Sequence, residues 1–174
     1  MTTWKIDQVH SSIGFKVKHL MVSTVRGSFT EFEGSLNSPD DTFENAQAQF
    51  TAQAKSINTG NGMRDQHLQS ADFFESEKFP TVTFVSKSFT KKGDKYEVTG
   101  DLTMHGITKP ITLEVTSDGI GSGMDGGRVV GFDLTGSINR SDFGLVWNKV
   151  LETGGVTVSD NVTLDIHVEA QEVK

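Results

Sequence analysis

Period-two alternation of apolar and polar residues runs through this chain from end to end and is interrupted once. Alternation at that period places successive side chains on opposite faces of an extended strand. Ile13, Phe15 and Val17 take every second place. Ala46, Ala48, Phe50, Ala52 and Ala54 alternate with Gln47, Gln49, Thr51, Gln53 and Lys55. Tyr96, Val98, Leu102 and Met104 share a face, as do Ile111, Leu113 and Val115. Val130, Phe132, Leu134 and Ile138 follow, then Val162, Leu164, Ile166 and Val168. Turns fall between these runs at Lys92-Gly93-Asp94 and His105-Gly106, with a glycine-rich loop from Asp118 to Gly127. Val82 to Phe89 is a further strand, after a break at Pro80. Val25 to Leu36 is another, with Phe29 and Phe32 on opposite faces unless a bulge intervenes. About eight strands with short turns predict an all-β fold, a single antiparallel barrel or sandwich.

The interruption is Gly62 to Phe74. Met63, His67, Leu68, Ala71 and Phe74 recur three to four apart, which predicts one short amphipathic helix over about 62–74. A single helix on an antiparallel sheet is either a plug or a lid, and the plug is the plainer reading. Gly60 and Gly62 permit hinging without demonstrating it.

Closing the sheet removes edges that would template aggregation. Around eight strands leaves an interior that side chains just fill, or that holds one small ligand. The alanine strand bears on the choice. A face of methyl groups fills little volume, so either a helix packs closely there or space remains for a guest.

At 174 residues the chain suits one domain, 1–174. The absence of cysteine excludes disulfides, thiolate metal sites and a cysteine nucleophile. A net charge of −7 argues against nucleic acid and disfavours electrostatic docking on anionic membranes. No apolar run spans a bilayer, and Met1-Thr2-Thr3-Trp4-Lys5 lacks the regions of a signal peptide.

Residues that could carry chemistry are sparse. The five histidines, His10, His19, His67, His105 and His167, show no ligand spacing, so neither a metal nor another cofactor is expected. A cluster of His10, His19 and a carboxylate is conceivable but weak. Gly121-Ser122-Gly123-Met124-Asp125-Gly126 spells a dinucleotide fingerprint. A strand follows it where the motif needs a helix, so it is a hairpin loop. No Gly-x-Ser-x-Gly elbow occurs. Asp65 suits the helix N-terminus. Arg64 is expected to pair with Asp72 or Asp65, and Arg140 with Asp142. A second role for Arg64, Arg140 and His19 is contact with a ligand head group.

Val9-His10-Ser11-Ser12-Ile13-Gly14-Phe15, Val17-Lys18-His19 and Val25-Arg26-Gly27-Ser28-Phe29 resemble the opening of the YceI-like proteins. Met63-Arg64-Asp65-Gln66-His67-Leu68, Asp72-Phe73-Phe74 and Phe79-Pro80 resemble that family's middle. Gly100-Asp101-Leu102-Thr103, His105-Gly106-Ile107-Thr108-Lys109-Pro110 and Asn139-Arg140-Ser141-Asp142-Phe143-Gly144 resemble its later segments. The resemblance implies a lipocalin-like antiparallel β-barrel with an apolar tunnel that binds a polyisoprenoid, an isoprenoid quinone-like molecule or another long amphiphile. It also implies a possible homodimer. Many members are exported through a cleaved leader. This chain shows none, so a cytoplasmic location is expected unless one was removed.

The expected tunnel lining is Phe15, Val17, Phe29, Phe50, Leu68, Phe73, Phe74, Phe84, Leu102, Phe132, Ile138, Phe143 and Leu164. Twelve Phe against one Tyr and two Trp suit a dry wall, since Phe has no polar atom to satisfy. Three isoprene units at about 0.8 kcal/mol per methylene would gain roughly 12 kcal/mol before the costs of ordering. No catalysis is expected. The competing readings are an enzyme that acts on such a lipid through His10 and His19, and a ligand-free interaction module.

Overall fold

Residues in the alternating runs form strands because one side of each can be buried while the other stays wet. The computed structural model describes residues 1–149, 151 and 155–174. Its strands are β1 (Thr2–Ile6), β2 (Ser12–His19), β3 (Ser23–Phe29), β4 (Phe32–Ser38), β5 (Gln47–Gln53), β6 (Ile57–Asn58), β7 (Thr81–Lys92), β8 (Lys95–Met104), β9 (Ile107–Ser122), β10 (Arg128–Asn139) and β11 (Val158–Glu172). One helix, α1 (Gly62–Gln69), lies between β6 and β7.

These eleven strands make eight staves of a closed antiparallel barrel. Three staves are bent and each is broken in two. β11 pairs with β2 along Val158–His167 and with β1 along Ala170–Glu172, so β1 and β2 are one stave. β4 lies on β1 and β3 lies on β2, which makes a second. β5 lies on β4 and β6 on β3, which makes a third. β7 through β11 complete the ring, each beside its neighbour in sequence. This is an up-and-down barrel closed through the β1–β11 pairing, with the short β6 paired to β3 alone.

The break between β3 and β4 resolves the problem posed by Phe29 and Phe32. The run from Val25 to Leu36 is two strands separated at Thr30 and Glu31, and both rings face inward. Phe32 is buried, and Phe29 stacks edge-on to Phe74 at 5.8 Å. β9 extends to Ser122, so the loop expected from Asp118 shrinks to residues 123–127. Gly127 N–H donates to Asp125 Oδ1 there at 2.9 Å.

The helix is shorter than its periodicity suggests. It starts where Asn61 Oδ1 accepts from Arg64 N–H and stops at Gln69. Ser70 ends it, because its amide (3.1 Å) and hydroxyl (2.6 Å) both donate to the His67 carbonyl that Ala71 N–H would take in a continued helix. Phe73 and Phe74 therefore belong to the turns that follow. None of the helical residues is fully buried, and Met63 is exposed, so the expected apolar stripe is not one continuous buried face.

Packing divides the interior into two clusters. Trp4, Phe43, Phe89, Val98, Val115 and Phe132 fill one end. Ile13, Phe32, Ala52, Leu102, Met104 and Phe143 lie toward the other. Among the described residues no helix is long and apolar enough to cross a membrane.

Candidate functional site

Alternation along the staves turns one apolar face inward, and the barrel is too wide for those side chains to meet everywhere. A cavity of about 260 Å³ runs along the axis. Its wall is almost wholly apolar, with Ser35, Gln49 and Arg140 as the exceptions beside the indole of Trp4. A dry cavity of about 150 Å³ holds one benzene, so this one takes about ten carbons without rearrangement. That is two isoprene units, short of the three taken above.

Small residues keep the centre open. Ala48 and Ala52 border the cavity from β5. Gly27, Gly100 and Gly136 occupy inward positions where the ring of Phe15, the ring of Phe84 and the side chain of Leu113 lie flat against the wall. A Cβ on Gly136 would stand 2.7 Å from Leu113 Cδ2, and one on Gly100 2.6 Å from Phe84 Cζ. Each glycine lets a bulky neighbour lie along the wall instead of across the lumen.

The two ends differ. At one, Trp4 is fully buried and Phe43 packs behind the wall, its ring 5.1 Å from Phe132 and 5.8 Å from Trp4. Phe43 reaches this position from a loop in which it and Asn45 hold positive φ (61° and 62°). The Trp4 indole N–H is a buried donor with no acceptor among the described residues. Toward the other end burial falls, and Val17, Leu68, Val158 and Val162 are only partly covered. This less enclosed end lies between α1, the β2–β3 hairpin and residues 145–149 and 155–158. His67 binds α1 to that region, with its ring edge-on to Trp147 (4.8 Å) and Phe73 (5.1 Å) and its Nε2 2.8 Å from Asp72 Oδ2.

Phe15, Val17, Phe29, Phe50, Leu68, Phe73, Phe74, Phe84, Leu102, Phe132, Ile138 and Leu164 all border the cavity. Phe143 does not. It sits in a 3₁₀ turn (Arg140–Phe143) beyond β10, where strand alternation no longer sets direction. It is buried beside the β8–β9 turn, and its carbonyl lies 3.0 Å from His105 Nδ1. Missed by sequence reasoning were Trp4 and Phe43. β1 is only five residues long and shows little alternation, and Phe43 stands in a polar loop, so neither carries a periodic signal.

The head-group candidates fare differently. His19 ends β2, past Val17, and does not border the cavity. Arg64 pairs with neither Asp72 nor Asp65. Its Nε donates to Thr59 Oγ1 (2.7 Å) and its Nη2 to the Thr59 carbonyl (2.8 Å), which ties the helix to the preceding turn. Asp65 Oδ1 accepts from the Thr59 amide and hydroxyl in the same knot.

Arg140 borders the cavity, but its donors are engaged. The guanidinium donates to the carbonyls of Leu145 (2.7 Å), Ser159 (2.9 Å), Trp147 (2.9 Å) and Val158 (3.3 Å). Asp160, not Asp142, is its carboxylate partner, at 3.6 Å. Burial draws its pKa below the usual guanidinium value, and Asp160 opposes that shift. Four carbonyls from two segments converge on one buried cation, so Arg140 holds the less enclosed end together.

The proposed acid–base pair does not assemble. His10 lies outside the barrel, 2.9 Å from Asp7 Oδ2 and 3.8 Å from Glu169 Oε1, and neither it nor His19 borders the cavity. The Asp7–His10–Glu169 group could hold a cation by distance, without His19. The hydrogen bond to Asp7, reinforced by both carboxylates, raises the His10 pKa. His167 is exposed and lies between Asp133 and Asp165.

A closed eight-stave barrel around an apolar axial cavity, with one helix at its less enclosed end, defines a lipocalin-like architecture. Residues 4–170 match the model of the YceI-like domain, and the chain belongs to that family. A UPF0312 protein of Staphylococcus aureus strain MSSA476 is 42% identical over 170 residues, 97% of each chain. Among solved structures, Burkholderia cenocepacia BcnA superposes with a TM-score of 0.82 at 26% identity, covering 94% of this chain and 98% of that one. The Campylobacter jejuni YCEI protein gives 0.75 at 36% identity over 97% and 96%. A polyisoprenoid binding domain from Saccharophagus degradans, implicated in plant cell wall breakdown, gives 0.68 at 17% identity over 97% of each chain and supports the fold alone.

Proposed function

We propose that this protein binds one long amphiphile, a polyisoprenoid or an isoprenoid quinone-like lipid, with its tail along the barrel axis, for carriage, storage or sensing. The carrying observation is the cavity itself, closed at one end by Trp4, which Phe43 backs, and walled by apolar side chains. Such a space favours hydrocarbon over water, since a water needs polar partners that this wall does not supply. Membership in the YceI-like family supports the choice of ligand class.

On this reading the tail takes the Trp4 end and the head takes the end near Val17, Leu68 and Val158. Ten carbons at about 0.8 kcal/mol each gain up to about 8 kcal/mol. Association consumes an estimated 4–15 kcal/mol, so a tail confined to the present volume binds weakly at best. Tighter binding requires that Phe side chains on the axis move or that a longer tail remain covered at the mouth. A chain-length series of prenyl alcohols should then gain affinity with each unit through the second and a reduced increment beyond it.

Solvent extraction of the purified protein followed by mass spectrometry tests the proposal. An amphiphile bound at up to one per chain supports it. No extractable lipid, together with no binding of added prenyl alcohols, overturns it. Cytoplasmic residence and homodimerisation belong to the same proposal and are read by cell fractionation and light scattering.

A further inference from the structure

Leu20, Met21 and Val22 form the tip of the β2–β3 hairpin, and they are exposed to 40%, 60% and 82%. The turn is closed by Val22 N–H donating to the His19 carbonyl at 3.2 Å. Leu20 and Met21 both hold positive φ, 52° and 65°. Two successive left-handed positions are the place for Asn-Gly, because bulky side chains are strained there. Here the turn presents three consecutive apolar side chains to water instead, with Met21 Cγ lying beside Gly155.

The tip stands at the cavity's less enclosed end. His19 pairs with Val158, Leu20 N–H donates to the Thr157 carbonyl, and Val17 and Val158 border the cavity. Val146, also exposed, lies in the segment that Arg140 anchors beside it. Charge follows the same geography. Residues 8–30 contain Lys16, Lys18 and Arg26 and no Asp or Glu, a local charge of +3 in a chain of −7, which leaves −10 for the rest. All three cations are on the outward face, since Lys16 and Lys18 alternate with the inward Phe15 and Val17, and Arg26 is the cross-strand partner of Lys16. Lys149 adds an exposed cation on the adjoining segment.

We infer that this hairpin is a docking tip for an anionic bilayer: Leu20, Met21 and Val22 enter the acyl boundary while Lys18, Arg26 and Lys149 meet the head groups. Apolar side chains flanked by cations are the composition that interfacial membrane binding uses. The acids described at this end are paired, Asp160 with Arg140 (3.6 Å) and Asp72 with His67 (2.8 Å), so the cationic hairpin sets the docked orientation. In that orientation the end of the cavity bordered by Val17 and Val158 meets the leaflet, and a tail passes between bilayer and barrel without crossing water. The inference rests on the tunnel reading above for its purpose, but docking itself is measured separately.

Co-sedimentation of the full chain with vesicles of equal parts phosphatidylglycerol and phosphatidylcholine tests it, with pure phosphatidylcholine vesicles as the comparison. Binding is expected on the anionic vesicles and is weakened by salt. Met21→Asp with Val22→Asp should weaken it by about tenfold or more, since charge opposes insertion. Removing Lys18 or Arg26 should weaken it about fivefold each, the equivalent of about 1 kcal/mol per cation. Met124→Asp, exposed on the β9–β10 hairpin at the opposite end, should leave it unchanged. No association of wild type with anionic vesicles overturns the inference. So does a hairpin variant that sediments like wild type, or one that changes only the oligomeric state, which would make the tip a contact between copies. Binding of a fluorescent prenyl alcohol in vesicle-free solution should be equal in wild type and the hairpin variant. Its absence in both would sink the tunnel reading, while its presence without vesicle binding would sink only the docking.

Discussion

Filling the lumen should stabilise the empty protein and weaken its hold on a guest. Ala48→Leu is the suitable perturbation, because Ala48 points inward between Ala46 and Phe50, borders the cavity and is not fully buried. The substitution adds three carbons to a space of about 260 Å³. If they enter the cavity, each gains about 0.8 kcal/mol, up to about 2.4 kcal/mol of added stability. For a chain of this size that raises Tm by about 5–10 °C. The same three carbons take up about a third of a cavity that holds about ten. A guest that loses contact for three carbons loses about 2.4 kcal/mol, an affinity decrease of about fiftyfold. Calorimetric melting of delipidated protein reads the first effect, and titration with a short prenyl alcohol reads the second. Gln47→Leu, on the outer face of the same strand, controls for strand propensity. Opposite signs for stability and binding are expected at Ala48. A variant that is more stable and binds the alcohol as tightly as wild type refutes the axial site. A strongly destabilised variant shows instead that the space around Ala48 is not available to side chains.

Three further outcomes follow from other parts of the structure. Arg140→Met strands four carbonyls around a buried apolar side chain and should destabilise the fold by about 3–5 kcal/mol, read by urea unfolding, with Arg140→Lys recovering only part. Gly27→Ala brings a methyl group against the Phe15 ring, which can swing into the lumen, so prenyl alcohol binding should fall by about tenfold with a smaller change in Tm. The pKa values of His10 and His167 are raised above 6.5, by hydrogen bonds to Asp7 and Asp133 first. Their contribution is therefore complete below pH 6.5 and fades as pH rises through the raised values. Asp7 and Asp40 are held below 3.8, chiefly by hydrogen bonds from His10 and Thr42, and their contribution fades as pH falls through those lowered values. Tm should then be highest between about pH 4 and 6.5, and His10→Ala with His167→Ala should flatten the decline above it.

The barrel was legible because its staves alternate. β5, β8, β10 and β11 each carry the pattern over several residues, and twelve of the thirteen residues named for the wall border the cavity. The pattern loses its meaning where the backbone leaves the strand. Phe143 is turned aside by a 3₁₀ turn, and Phe73 and Phe74 reach the cavity from turns, not from a helix. Trp4, which closes one end, and Phe43, which backs it, lie on a short strand and a loop. Charged side chains were less legible than apolar ones. Arg64 and Arg140 satisfy backbone carbonyls instead of the carboxylates nearest in sequence, because a guanidinium with five donors suits converging carbonyls that no periodicity announces. The hollow itself depends on Gly27, Gly100 and Gly136 opposing bulky neighbours, a pairing across strands that requires the register to be known.

A crystal structure of the protein soaked with a two-unit prenyl alcohol is the most direct test of an axial lipid site. Continuous density between Trp4 and Leu68, flanked by Phe50, Phe84 and Leu134, with the hydroxyl toward Val158, is the result expected. Side chains that meet across the axis and exclude the alcohol, with density only on the outer wall, would contradict it.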